Sequence, residues 1–256
     1  MALLQKFKKF RQPAANDPST APAKHDWPQE PGLPAPLHHE NDLISIDQSY
    51  AGMYALHKTC HQGLIAELKA QISGSAKPRL LEVACGSGWN TQGLHDAGFD
   101  YWGLDLSENA IAVAMRRYPS LRFINCDVRD TTVLADGAFN YVFCASMLEH
   151  IGDFQTALKN LIRISGKHLY VLFYEGLPKD HPDKFEHRAF DNPEWNRWFG
   201  KKLAAYQHEH KGYYMRRFAR NTIEAIVKET QHVGYEIFDK DNRPYITNEA
   251  ILHVWK

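Results

Sequence analysis

The sequence predicts an open α/β sheet, and three observations carry that prediction. Residues 80–90, Leu-Leu-Glu-Val-Ala-Cys-Gly-Ser-Gly-Trp-Asn, are an apolar strand that runs into a glycine turn. Asp105 closes the next apolar stretch 19 residues after Gly86, near the distance at which the second strand of a βαβ unit ends beside the first. Between residues 79 and 174, short apolar runs then alternate with segments of helical periodicity.

The elements follow in chain order. Residues 1–11 place Leu3, Leu4, Phe7 and Phe10 at helical spacing, with Lys6, Lys8, Lys9 and Arg11 available to face acidic headgroups. Such a stretch suits either a plain basic terminus or contact with a membrane surface. Seven of the 13 prolines fall between residues 13 and 36, which predicts an extended arm or linker. Residues 1–44 are therefore set apart from a main domain over 45–256. Residues 46–71 read as one or two helices, whose Tyr50, Tyr54, Leu56, Leu64, Ile65 and Leu68 can cover the sheet or the mouth of a ligand site.

Strands are predicted at 79–84, 100–105, 121–125, 139–144 and 168–174, and helices at 89–97, 108–117 and 153–164. Pro119 separates a helix from a strand, and Gly98 and Gly166 sit where helices should end. After the fifth strand, residues 177–217 combine eight aromatic side chains with nine lysines or arginines and six acidic residues, and read as a cap over a substrate. Aromatic faces there can stack on a ring, and Arg188, Arg216 or Arg217 can grip a carboxylate or phosphate. A helix over 218–232 and strands at 235–238 and 250–255 complete the chain.

The turn and the aspartate specify a ligand. A strand that bends sharply into a helix beneath a ligand needs positions where a Cβ would clash or where φ is positive, and Gly86 and Gly88 supply them. The Asp105 carboxylate can accept hydrogen bonds from ribose hydroxyls. Thr91 replaces the third glycine of the dinucleotide fingerprint, and Trp89 crowds the place of a pyrophosphate, which disfavours NAD and FAD. No glycine-lysine-serine/threonine phosphate loop is present. The cofactor should contain adenosine without a phosphate chain.

Four pieces occur in order: Glu82-Val-Ala-Cys-Gly-Ser-Gly88, Gly103-Leu-Asp-Leu-Ser107, Asn125-Cys-Asp-Val-Arg-Asp130, and Asn140-Tyr-Val-Phe-Cys-Ala-Ser-Met-Leu-Glu-His-Ile151. Over about residues 45–175 this set resembles the class I S-adenosylmethionine-dependent methyltransferases of small-molecule type. The resemblance implies a Rossmann-like, seven-stranded, mostly parallel sheet in the order 3-2-1-4-5-7-6, with an antiparallel last strand and helices on both faces. It also implies that Glu82, Ala84, Gly86 and Gly88 surround the methionine part of S-adenosylmethionine, with S-adenosylhomocysteine as product. Asp105 and Leu106 would then lie at the ribose, Asp127 and Val128 at the adenine, and Ala145 along the cofactor. Asn140 stands where family members commonly carry aspartate.

The chemistry so implied is in-line transfer of a sulfonium methyl group, for which the protein aligns donor and acceptor and excludes water. An acceptor hydroxyl must also lose its proton. His150, beyond the fourth strand, is the best-placed base, with His181 and His187 in the cap as runners-up for contact with the acceptor. Tyr50 and Tyr54 are further acceptor contacts. Oxygen on a sugar, lipid-linked or aromatic acceptor leads, a quinone precursor among them. RNA methylation and a non-catalytic, methyltransferase-like binding module are the alternatives.

Composition sets the outer bounds. With 256 residues, 44% of them hydrophobic, and a formal net charge of +0, the chain can bury one substantial core and lacks the basic excess of an extended nucleic-acid surface. Cys60, Cys85, Cys126 and Cys144 have no metal-ligand spacing and read as reduced structural thiols. His208-Glu209-His210 cannot form a zinc motif, because on a helix its two histidines diverge by about 200°. No metal is expected. With no apolar run near the roughly 20 residues that cross a bilayer and no secretory leader, a cytoplasmic enzyme is expected, with residues 1–11 the candidate contact to the inner face of a membrane.

Overall fold

Apolar runs become a sheet here because the central strands bury both faces, one under each layer of helices. The computed structural model describes residues 57–72, 76–179, 182–188 and 213–256. The expectations for residues 1–11, the proline-rich arm, Tyr50, Tyr54, His181 and the 208–210 cluster lie outside the described residues.

Helix α1 (Lys58–Ala70) precedes strand β1 (Arg79–Val83), followed by α2 (Thr91–Asp96), β2 (Asp100–Asp105), α3 (Glu108–Arg117), β3 (Arg122–Asn125) and β4 (Phe139–Ala145). A 3-10 turn (Leu148–His150) leads to α4 (Phe154–Ile164) and β5 (Ser165–Phe173). Then come β6 (Lys184–Arg188), β7 (Tyr213–Arg217), α5 (Arg220–Lys228), β8 (Gly234–Phe238) and β9 (Ala250–Trp255). Seven strands form one sheet in the order β3-β2-β1-β4-β5-β9-β8. Strands β3, β2, β1, β4 and β5 are mutually parallel, whereas β9 runs antiparallel to both β5 and β8. This is the order and sense that the motifs imply.

Side-chain alternation along the strands sorts the core. Leu80, Tyr101, Tyr141, Phe143, Tyr170, Leu172 and Ile251 cluster with Cys60, Leu64 and Leu68 of α1 and Leu94 of α2. The intervening Leu81, Val83, Val142, Cys144, Leu169 and Val171 are also buried and point to the opposite face. There α4, capped by the Asp153 carboxylate on Thr156 N, buries Phe154, Leu158, Leu161 and Ile162. Each such side chain stabilises the fold by about 1.5–3 kcal/mol through loss of apolar surface to water.

Three expectations change in detail. The helix predicted over 89–97 shortens to Thr91–Asp96, because residues 86–90 are held in the turn below the strand ends. Gly166 does not end a helix: α4 stops at Ile164 and Gly166 lies inside β5, where a Cβ would come within 2.8 Å of the Gly137 carbonyl oxygen. That glycine is required for close backbone approach. The stretch read as a cap over 177–217 also contributes two strands that were not assigned in the sequence, since β6 and β7 pair antiparallel from Lys184–Arg217 to Arg188–Tyr213. Asn140 makes a bond that an aspartate could also make, its Oδ1 accepting from Arg79 N at 2.9 Å.

Candidate functional site

Strand order reverses between β1 and β4, the place where open α/β sheets leave a crevice at their carboxyl ends. Among the described residues, only two non-glycine residues have left-handed backbones: Ala84 (φ 59°), just past β1, and Ser146 (φ 52°), just past β4. That conformation costs roughly 1–2 kcal/mol for each residue that carries a Cβ. Gly86 (φ 54°) and Gly88 (φ 89°) continue the left-handed path without that cost.

The turn is tied to the end of β2. Gly86 N donates to Asp105 Oδ2 at 2.8 Å, and Ser107 N donates to Oδ1 of the same buried carboxylate at 2.8 Å. Arg117 reaches from α3 to donate to the Ser87 carbonyl at 2.9 Å and stacks over Trp89, 4.9 Å from its ring centroid. Leu106 stays 38% exposed beside Asp105, a large apolar side chain facing outward at a strand end. In the loop after β3, Val128 is buried, and Asn160 Nδ2 donates to the carbonyls of Val128 and Arg129 at 2.9 Å. The Asp127 carboxylate accepts from the backbone and guanidinium of Arg129, with Nη2–Oδ2 at 2.9 Å. A buried carboxylate over an open glycine turn, with an exposed apolar side chain beside it, fits an adenosine group, and Arg117 is turned onto a carbonyl rather than toward a phosphate.

Behind the turn lies a buried polar chain. Glu82 Oε2 accepts from Tyr101 OH at 2.5 Å and Oε1 from Asn90 Nδ2 at 3.1 Å. Burial outweighs these donors and pushes the Glu82 carboxyl up to about 7. Asn90 Oδ1 then pairs with His61 Nδ1 at 2.8 Å, and His61 Nε2 lies 3.4 Å from Tyr174 OH. Because Asn90 presents its oxygen, Nδ1 of His61 carries the hydrogen and Nε2 accepts. Burial lowers this imidazole to about 4, so it is neutral at pH 7. Glu82 thus anchors the turn through Asn90 and Tyr101.

Tyr174 connects this chain to a second group of titratable side chains. Its amide donates to Glu149 Oε1 at 2.9 Å, while no other residue among those described donates to the buried Oε2. Burial raises the Glu149 carboxyl to about 7. The Tyr174 ring stacks on His57, with centroids 3.6 Å apart and planes 10° apart. His57 Nδ1 lies 2.8 Å from Glu249 Oε1, and Glu249 Oε2 accepts from Thr247 N, Thr247 Oγ1 and Asn248 N at 2.9–3.0 Å. Burial alone would raise Glu249, but these donors outweigh it and bring the carboxyl down to about 2.

The other expected site residues are placed as follows. Ala145 is half-buried at the end of β4, and His150 is exposed on the 3-10 turn against which β7 packs. The Arg216 guanidinium covers the Phe154 ring at 4.8 Å, and Arg217 donates to Glu175 Oε2 through Nε at 2.9 Å and Nη2 at 2.8 Å. Both arginines expected at an anionic acceptor have local partners. His187 and Arg188 lie in β6, in register with Tyr214 and Tyr213. Sequence reasoning passed over His57, His61, Tyr174 and Glu249. The i, i+4 histidines of α1 were visible, but nothing local joins His57 to a carboxylate 192 residues away. Among the described residues no three His, Cys, Asp or Glu side chains gather to hold a metal, and no helix is long and apolar enough to cross a membrane.

The protein-family model described as "Methyltransferase domain" matches residues 81–170. A demethylmenaquinone methyltransferase of Renibacterium salmoninarum is 34% identical over 127 residues, which is 49% of this chain and 47% of that protein. A ubiquinone biosynthesis O-methyltransferase of Coxiella burnetii is 33% identical over 106 residues, 39% of this chain and 45% of that protein. The chain spans about half the length of these relatives. A solved S-adenosylmethionine-dependent methyltransferase of Thermotoga maritima aligns with a TM-score of 0.52 at 13% identity, over 84% of this chain and 98% of that one, a likeness of fold.

Proposed function

We propose that this chain, which carries a class I S-adenosylmethionine-dependent methyltransferase domain, methylates an oxygen of a small organic acceptor, with a phenolic hydroxyl of the quinone-precursor kind as the leading case. The observation that carries the cofactor half is the Asp105 carboxylate, buried and fixed by the Gly86 and Ser107 amides beneath two strained strand ends. The acceptor half is supported by the names of the two relatives, which act in quinone methylation. The aromatic stretch that suggested a sugar or lipid-linked acceptor falls largely outside the described residues, as does the terminus proposed to touch a membrane.

S-adenosylmethionine supplies an electrophilic methyl group on a positively charged sulfur. The chain's part would be to orient it: Asp105 and Leu106 would lie at the ribose, Asp127 and Val128 at the adenine, and the Ala84–Gly88 backbone around the methionine end. The loop from Ser146 to His150 borders the transferred carbon, and β6–β7 closes over that loop. Rate comes from alignment and from exclusion of water, each of which lowers the barrier without new covalent chemistry.

Calorimetric titration with S-adenosylhomocysteine tests this reading, followed by transfer of a tritiated methyl group to 3,4-dihydroxybenzoate. Binding near one per chain and label in the methoxy product are expected. A folded chain that ignores S-adenosylhomocysteine overturns the proposal.

A further inference from the structure

We infer that His57, oriented by Glu249, is the general base that removes the acceptor's hydroxyl proton through Nε2. The inference rests on the methyl-transfer reading above and adds a residue to it.

The geometry fixes the tautomer. Glu249 is buried at the start of β9, and its side chain meets four donors: His57 Nδ1 at 2.8 Å, Thr247 N and Oγ1 at 2.9 Å, and Asn248 N at 3.0 Å. A carboxylate so held is ionised and can only accept, so Nδ1 of His57 must carry the hydrogen. The lone pair of the neutral ring is then on Nε2. No group among the described residues hydrogen-bonds that nitrogen, and the side chain is 20% exposed, open to an incoming molecule. The same carboxylate holds the ring's orientation, as a buried acid beside a catalytic imidazole does.

The ring's plane and place are also set. Tyr174 stacks on it at 3.6 Å, and Tyr174 follows directly from β5, with its amide on Glu149. The buried hydroxyl of Ser146, the left-handed residue past β4, neighbours that of Tyr174. His57 therefore stands where the carboxyl ends of β4 and β5 meet the amino end of β9, one ring away from the strained loop past β4. His61 is unsuited to the task, because Asn90 and Tyr174 take its two nitrogens and burial lowers it to about 4. His150 sits exposed on the 3-10 turn after β4.

In the step, the acceptor O–H bond breaks and its proton moves to His57 Nε2. The oxygen bonds to the methyl carbon as the carbon–sulfur bond breaks, its electron pair leaving on sulfur as a neutral thioether. The imidazolium then returns its proton to solvent, so atoms and charge balance. The titratable groups around His57 are Glu249 before β9, Tyr174 after β5, and Cys60 and His61 on α1, with Glu149 behind Tyr174.

Nitrogen-15 spectra of the imidazoles test the tautomer in the full chain without any acceptor: His57 should carry hydrogen on Nδ1 when neutral, and lose that preference in Glu249→Gln. An Nε2–H tautomer in the wild type overturns the inference, whatever the acceptor. With 3,4-dihydroxybenzoate, His57→Gln should lose ~100-fold or more in kcat, the usual range for a missing base. Its S-adenosylhomocysteine affinity should stay within about twofold, and Glu249→Gln should lower kcat while keeping that affinity. A His57→Gln rate within about threefold of an active wild type overturns the assignment. Loss of S-adenosylhomocysteine binding by the wild type would instead strike the methyl-transfer reading, while the tautomer would still be read.

Discussion

The two halves of the crevice are built on different principles. The cofactor half draws on residues within one βαβ unit: Glu82, Gly86, Gly88 and Asp105 lie within two strands and a turn, and a 19-residue separation brings Gly86 to Asp105. The proposed acceptor half joins His57, Tyr174 and Glu249, which enter from the residue before α1, the end of β5 and the start of β9. The same contrast governs the carboxyls. Glu82 has two donors and burial pushes it up to about 7, whereas Glu249 has four and falls to about 2. Donor number and depth of burial together decide the sign.

Breaking the cofactor half should give the largest effect. Asp105→Ala removes a buried, charged acceptor and frees the Gly86 and Ser107 amides. With charged hydrogen bonds worth about 1.5–3 kcal/mol each, S-adenosylhomocysteine affinity should fall by ~100-fold or more, measured by calorimetry. His57→Gln should leave that affinity in place, so the pair of variants separates the two halves.

The two carboxyls can next be set against each other in pH. Glu82 is raised, so its contribution to stability is fully present below its ordinary value of 4.5 and is lost as pH climbs through about 7. The loss is about 3 kcal/mol at 1.36 kcal/mol per unit. Urea unfolding of Glu82→Gln should therefore gain on the wild type by about that amount between pH 4.5 and 8. Glu249 is lowered, so its contribution is present above 4.5 and is lost as pH falls through about 2. Discounted for partial solvent screening, the loss is roughly 1–2 kcal/mol. Glu249→Gln should lose to the wild type at pH 7 and close the gap near pH 2.5. His61, lowered to about 4, runs in the same direction as Glu249 and is common to every variant.

A smaller change sharpens the comparison at the backbone. Ala84→Gly relieves a left-handed alanine worth roughly 1–2 kcal/mol and adds glycine's entropic cost of roughly 0.5–1 kcal/mol. A net gain of about 0.5–1 kcal/mol, read as a rise in Tm, is expected. A fall would mean that the methyl group's packing, not its strain, dominates at that turn.

The strands, the glycine turn, Asp105 and the strand order were legible in the sequence, because hydrophobic alternation and turn chemistry act over a few residues and the motifs recur in order. Even there, two glycines of similar appearance differ. Gly98 does end a helix with φ 105°, whereas Gly166 sits in β5 because a neighbouring carbonyl crowds it. No local pattern separates those cases. The expected base, His150, was chosen because the loop after β4 borders the transferred methyl in the resembled fold, and its exposure was invisible at that level.

What the sequence determined by itself is the proposed cofactor half: periodicity places each strand, and the turn residues place the bend beside Asp105. What only the tertiary structure decided is the acceptor half and the ionisation of its groups. His57 meets Glu249 across 192 residues because α1 lies along the same sheet that β9 enters between β5 and β8. A glutamate becomes a near-neutral acid or a firm carboxylate according to how many donors reach it, and donors arrive only when distant segments pack together.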